Sequence, residues 1–147
     1  MFRGLHQHTI DLKGRINLPA KFRDFMAIQG EDKLIVTTSI DPCLVVYPVI
    51  EWQQFEDKLS RLPQFDPNVV KLKRIYVAAA AECVVDKQGR LLIPQELREY
   101  AGLAKDIIFA GMIQTCELWA KDRWQENAQQ ARAEASEVAK ALGALGL

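Results

Sequence analysis

Asp11-Leu12-Lys13-Gly14-Arg15-Ile16-Asn17-Leu18-Pro19 returns 75 positions later as Asp86-Lys87-Gln88-Gly89-Arg90-Leu91-Leu92-Ile93-Pro94. Asp, Gly, Arg, two aliphatic residues and Pro recur in register, and Phe22-Arg23 is answered by Leu97-Arg98. A self-match at fixed spacing defines the architectural unit before any local pattern does. The chain reads as two copies of one module.

Within the first copy, the alternating run His8-Thr9-Ile10 and the pair Ile16 and Leu18 flank a short Gly-containing link, which predicts a β-hairpin. Leu12-Lys13-Gly14 is its three-residue loop, with Gly14 at the bulge position that needs positive φ. Asp11 and Arg15 then face each other across the hairpin mouth. Pro19 leads a helix over Ala20 to Ile28, with Phe22, Phe25 and Met26 on its apolar face and Gly30 at its end.

Farther on, Leu34 to Thr38 reads as a strand, Asp41-Pro42 as a turn and Leu44 to Tyr47 as the return strand. Trp52, Phe55, Leu59 and Leu62 mark a helix after Pro48 that Pro63 stops. Asp66-Pro67 caps another, running toward Ala79. The second copy repeats the programme: strands at Ala80 to Val85 and Arg90 to Ile93, a helix from Pro94 to Gly102, and a hairpin of Ile107 to Phe109 with Glu117 to Trp119. Tyr47 and Trp52 match Trp119 and Trp124. Asp122 to Leu142 reads as one Ala-rich helix with a thin stripe of Trp124, Ala128, Ala131, Ala135, Val138 and Leu142, and Gly143 to Leu147 as a fraying end.

The chain of 147 residues suits one domain or two small ones sharing a core, and 49% apolar with 26% charged residues fits an ordered globule. No apolar run approaches a membrane span and no signal segment is evident, so a cytosolic protein is expected. Cys43, Cys83 and Cys116 lack CxxC spacing and read as buried or half-buried strand thiols.

Catalysis finds little to stand on. There is no Gly-rich phosphate loop, no nucleophile–base set and no paired-carboxylate motif. His6 and His8 share one face of a strand at a spacing some metal sites use, but no nearby Cys, Asp or Glu completes a set. A phosphate contact suits them better than a metal.

The repeated motif has two readings. In the structural one, Gly serves the turn, Pro starts the helix, and Asp and Arg pair across the mouth. In the other, each copy presents a cation to DNA: a two-stranded ribbon fits the major groove, where Arg makes bidentate bonds to guanine. The formal net charge of zero argues against a bulk-basic binder. The N-terminal 30 residues nevertheless carry Arg3, Lys13, Arg15, Lys21 and Arg23 against Asp11 and Asp24.

Through the doubled Asp-x-x-x-Arg signature, the opening Met1-Phe2-Arg3-Gly4, Leu18-Pro19, the run from Pro42-Cys43-Leu44 to Tyr47-Pro48 with Trp52, Ser60-Arg61-Leu62 and Glu117-Leu118-Trp119, residues 1–124 resemble the MraZ family. The resemblance implies an α+β fold: two tandem AbrB/SpoVT-like swapped-hairpin modules forming one pseudo-twofold β-barrel with peripheral helices. The modules fall at 5–52 and 81–124, with a helical connector at 53–80 and a C-terminal helix at 125–147.

It also implies a non-enzymatic transcriptional regulator without cofactor. Such a protein binds repeated promoter elements of double-stranded DNA as a ring-like homo-oligomer on the nucleoid. It generally represses its own operon in the cell-division and cell-wall gene cluster. Arg15 and Arg90 then contact DNA with Lys13 and Lys87 at the tips, Gly14 and Gly89 shape the turns, and Asp11 and Asp86 orient the arginines. Arg3, Lys21 and Arg23 are secondary contacts. The first copy, with Lys13, is expected to be the stronger hand. Lys71, Lys73 and Arg74 read as the solvated face of the linking helix. The alternative from another class is a protein-interaction module such as an antitoxin-like partner-binding protein.

Overall fold

The computed structural model describes residues 2–147. Its elements run β1 (Leu5–Thr9), β2 (Arg15–Asn17), α1 (Ala20–Gln29), β3 (Lys33–Thr38), β4 (Leu44–Pro48), α2 (Val49–Ser60) and α3 (Pro67–Tyr76). The series then repeats as β5 (Ala81–Val84), β6 (Arg90–Leu92), α4 (Gln95–Ala101), β7 (Asp106–Gly111) and β8 (Cys116–Ala120), followed by α5 (Lys121–Ala133) and α6 (Ala135–Ala144). Pro leads α1 and α4, and glycines with φ of 64° and 66° close them, because the left-handed cap position costs glycine no side-chain clash. The Asp66 carboxylate accepts from the Asn68 N–H at 2.8 Å and starts α3.

Strand pairing departs from the local hairpin expected of His8 to Leu18. β1 runs antiparallel to β7 of the other half, and β5 runs antiparallel to β3 of the first. Only single bridges, Ile10 to Ile16 and Val85 to Leu91, survive between the strands flanking each Gly loop. The reason is core size. A half of about 70 residues alone would bury a smaller fraction of its surface than the whole chain does, and exchanging first strands buries both halves in one cluster. In that cluster Ile16, Leu18, Leu34 and Val36 meet Leu91, Ile93, Ile107 and Phe109. Phe2 stacks on Phe22 with ring centroids 3.8 Å apart.

The result is a mixed α+β fold with a six-stranded antiparallel sheet, β1-β7-β8-β4-β3-β5, and a separate two-stranded ribbon of β2 and β6. The closed barrel does not form. The sheet ends at β1 and β5, which meet β2 and β6 only through the single bridges Ile10 to Ile16 and Val85 to Leu91. Pairing still follows a twofold logic. Ile16 lies opposite Leu91, its own counterpart in the repeat, and Val45 lies opposite Glu117, again its counterpart. An approximate twofold therefore passes through the centre of the ribbon and between β4 and β8.

The C-terminal helix is interrupted. Glu134 separates α5 from α6, and neither helix buries a residue fully. Trp124 of the expected stripe packs on the body, with its ring centroid 5.9 Å from that of Trp119. Cys43, Cys83 and Cys116 are buried free thiols, as their sequence context suggests. No helix among the described residues is long and apolar enough to cross a membrane.

Candidate nucleic-acid interface

Local chemistry makes each repeated motif a closed turn. The Gly14 N–H donates to the Asp11 carbonyl at 3.0 Å, and the Asp11 N–H to the Arg15 carbonyl at 3.1 Å, while Gly14 takes a φ of 88°. The Asp11 carboxylate ties the rest together. Its Oδ1 accepts from the N–H groups of Lys13 at 3.0 Å and Arg15 at 2.8 Å, and its Oδ2 from Arg15 Nε at 2.7 Å. The second copy is the same: Asp86 Oδ1 accepts from the N–H groups of Gln88 and Arg90, both at 2.9 Å, and Oδ2 from Arg90 Nε at 2.9 Å. The backbone N–H of Arg15, seconded by its side chain, holds the Asp11 carboxyl below the usual carboxylate range. Arg90 does the same for Asp86. Both acids are ionised at neutral pH and orient their arginines.

Each loop is also held by the other half. The Leu18 N–H donates to the Gly89 carbonyl at 3.0 Å and the Ile93 N–H to the Gly14 carbonyl at 2.8 Å. Arg98 of α4 lies across Gly14, and Arg23 of α1 lies across Gly89. The Arg98 Nε is buried without a hydrogen-bond partner among the described residues. These crossing arginines were not identified as structural by sequence reasoning. The one signal was their matched position in the repeat, Phe22-Arg23 against Leu97-Arg98.

The ribbon brings Arg15 and Arg90 onto one surface. Alternation buries Ile16 and Leu91 and turns Arg15, Asn17, Arg90 and Leu92 outward. Arg15 lies opposite Leu92 and Arg90 opposite Asn17, so the two arginines are diagonal neighbours across the twofold. Diagonal cross-strand neighbours lie about 7–8 Å apart, within reach of long side chains. Each guanidinium spends only its Nε on aspartate, leaving the Nη groups without a hydrogen-bond partner among the described residues. Lys13, Lys87 and the fully exposed Leu12 stand at the loop tips. Arg3 is exposed beside β1 and lines a small hollow with His6, Pro19 and Lys21. The structure thus gathers Arg15 and Arg90 on the ribbon, keeps Lys13 and Lys87 at the loop tips, and places Arg3 next to β1.

His6 and His8 project from one face of β1, and the His8 ring meets the edge of Phe109 at 5.7 Å. No cluster of three metal-ligating side chains exists among the described residues.

Comparison with known proteins agrees with the doubled architecture. The family model described as "MraZ protein, putative antitoxin-like" matches residues 1–75 and again residues 76–144. The chain is 48% identical over 127 residues to the transcriptional regulator MraZ of Lachnoclostridium phytofermentans, covering 86% of each chain. It is 42% identical over 147 residues to that of Acetivibrio thermocellus, covering 100% of each. It is 43% identical over 128 residues to that of a Marinomonas species, covering 85% of this chain and 83% of the relative.

Proposed function

The chain belongs to the MraZ family, and from that premise we propose that it is a transcriptional regulator that binds double-stranded DNA through the β2·β6 ribbon. One observation carries the proposal: two arginines, 75 positions apart in sequence, meet as diagonal neighbours on a single outward face. A ribbon of this width enters a major groove, and a guanidinium held at Nε still offers two Nη groups to a guanine edge. Aspartate anchoring fixes the rotamer beforehand, which reduces the ordering cost on binding. The curated relatives' name, transcriptional regulator, supports the same reading.

The finer parts of the proposal rest on the resemblance. The two halves, 5–52 and 81–124, are AbrB/SpoVT-like swapped-hairpin modules joined by the connector 53–80 and followed by the C-terminal helix 125–147. Several chains assemble as a homo-oligomer, ring-like in form, on repeated promoter elements. The protein acts in the cytoplasm on the nucleoid and represses its own operon and the cell-division and cell-wall genes around it. It is not an enzyme and needs no cofactor. Assembly answers the zero net charge, because tethered modest contacts add in avidity.

A footprint on the DNA upstream of the protein's own gene, with the mass in solution measured alongside, tests this reading. Protection over repeated elements by an oligomer is expected. Absence of protection at that promoter, together with one stoichiometric protein partner in a pull-down, would replace it with a partner-binding module.

A further inference from the structure

The approximate twofold relates the backbone of the two halves, but not their charge. Positions 75 apart are equivalent through the first part of each half, so His6 corresponds to Ala81, His8 to Cys83, Lys21 to Glu96 and Arg23 to Arg98. The first member of each pair lines an open groove of about 470 Å³ beside the ribbon, together with Asn17, Pro19 and the second loop's Gly89. No carboxylate is among its lining residues. On the other side of the ribbon, Glu96 occupies the first turn of α4 and Glu99 faces the hollow under Leu12. The flank that holds the groove is thus the more cationic one through Lys21 against Glu96, because Arg23, like Arg98, also borders carboxylates: Glu31, Asp32 and Asp86 line the adjoining hollow with it. The cationic flank belongs to the Arg90 end, since Arg90 pairs with Asn17 at the groove's edge.

We propose that this groove is a phosphate subsite, which anchors the DNA backbone against the Arg90 end of the ribbon. Lys21 and Arg23 donate to the phosphate oxygens, and the imidazoles of His6 and His8 add donors from β1. The inference rests on the DNA-binding reading above and adds a polarity to it. One chain grips the duplex at one end of its ribbon, so the second copy of the motif, not the first, is the anchored one.

His8 faces His6 on its own strand, Lys21 and Arg23 on α1, and the uncharged ring of Phe109 on β7. Burial, followed by His6 and Arg23, lowers its pKa from the ordinary 6.5. It is thus neutral at pH 7 in the free protein, and a bound phosphate favours its protonation.

The test compares wild type with Lys21→Gln on two duplexes, one from the protein's own promoter and one of unrelated sequence, across a salt series. Loss of one phosphate contact lowers the affinity for both duplexes alike, by about tenfold near 0.1 M salt, and reduces the salt slope by about 1. An unchanged slope, or a loss confined to the promoter duplex, overturns the subsite. A second arm titrates inorganic phosphate into DNA-free protein and follows the imidazole resonances of His6 and His8. Movement of both, with a rise in the His8 pKa, supports the groove; silent histidines overturn it. If the wild type binds neither duplex, the DNA reading fails, and the phosphate titration alone then decides the groove.

Discussion

Arg98 lies across Gly14 so closely that a β-carbon on that glycine would stand 2.6 Å from the Arg98 Nε. Arg23 repeats the relationship over Gly89, where the nearest approach is 2.7 Å to its Cδ. The helix of each half is thereby laid on the turn of the other, which fixes the height and tilt of both arginine-bearing loops.

Gly14→Ala is expected to destabilise the protein through both backbone and contact. A side chain at a φ of 88° costs about 1–3 kcal/mol, and the Arg98 side chain must also move aside. Gly30→Ala, at a φ of 64° with nothing within 4 Å, bears the backbone cost alone and should be milder. Denaturant unfolding of Gly14→Ala, Arg98→Ala and the double variant measures the coupling. The Gly14→Ala penalty shrinks once Arg98 is truncated; strict additivity would show that the crossing contact is immaterial.

The two aspartates set an acid limb. Their folded pKa values lie below the ordinary 3.8, so the unfolded chain binds protons first as the pH falls. The stabilisation they confer is complete above 3.8 and disappears as the pH drops through the lower folded values. Asp11→Asn with Asp86→Asn should flatten the stability profile in that window. A profile as steep as that of wild type would show that other carboxylates carry it.

The buried thiols are expected to be inert in the native state. Burial pushes Cys83 up to about 11 and Cys116 up to about 12, while Cys43 is raised as well, first by burial and then by Glu117. A thiolate-seeking reagent at pH 7.5 labels them only when the protein opens. Labelling at the rate of a free cysteine, with the fold intact, would contradict this placement.

Much of the fold was legible from short-range chemistry. The glycine in each repeated loop, the proline ahead of α1 and α4 and the alternation around Ile16 and Leu91 each dictate a local conformation, and each is found where the residues require it. Strand partnership was not legible. The pattern of His8 to Ile10 states which face is buried but not which neighbour supplies the ladder, and β1 satisfies it equally well against β7. The break at Glu134 was hidden for another reason: no Gly or Pro marks it, and Ala-rich sequence favours helix on both sides. The candidate site was legible as a set of residues and not as an arrangement. That Arg15 and Arg90 share a face follows only from pairing β2 with β6, and the crossing of Arg23 and Arg98 follows from the exchanged halves.

The most direct measurement is the affinity of Arg15→Ala and Arg90→Ala for the protein's own promoter at one fixed salt concentration, with unfolding checked in parallel. Each variant should remain folded and bind weaker by about 1–3 kcal/mol, with the loss concentrated on promoter over unrelated sequence. Two well-folded variants with wild-type affinity would contradict the assignment of the ribbon as the DNA-reading surface.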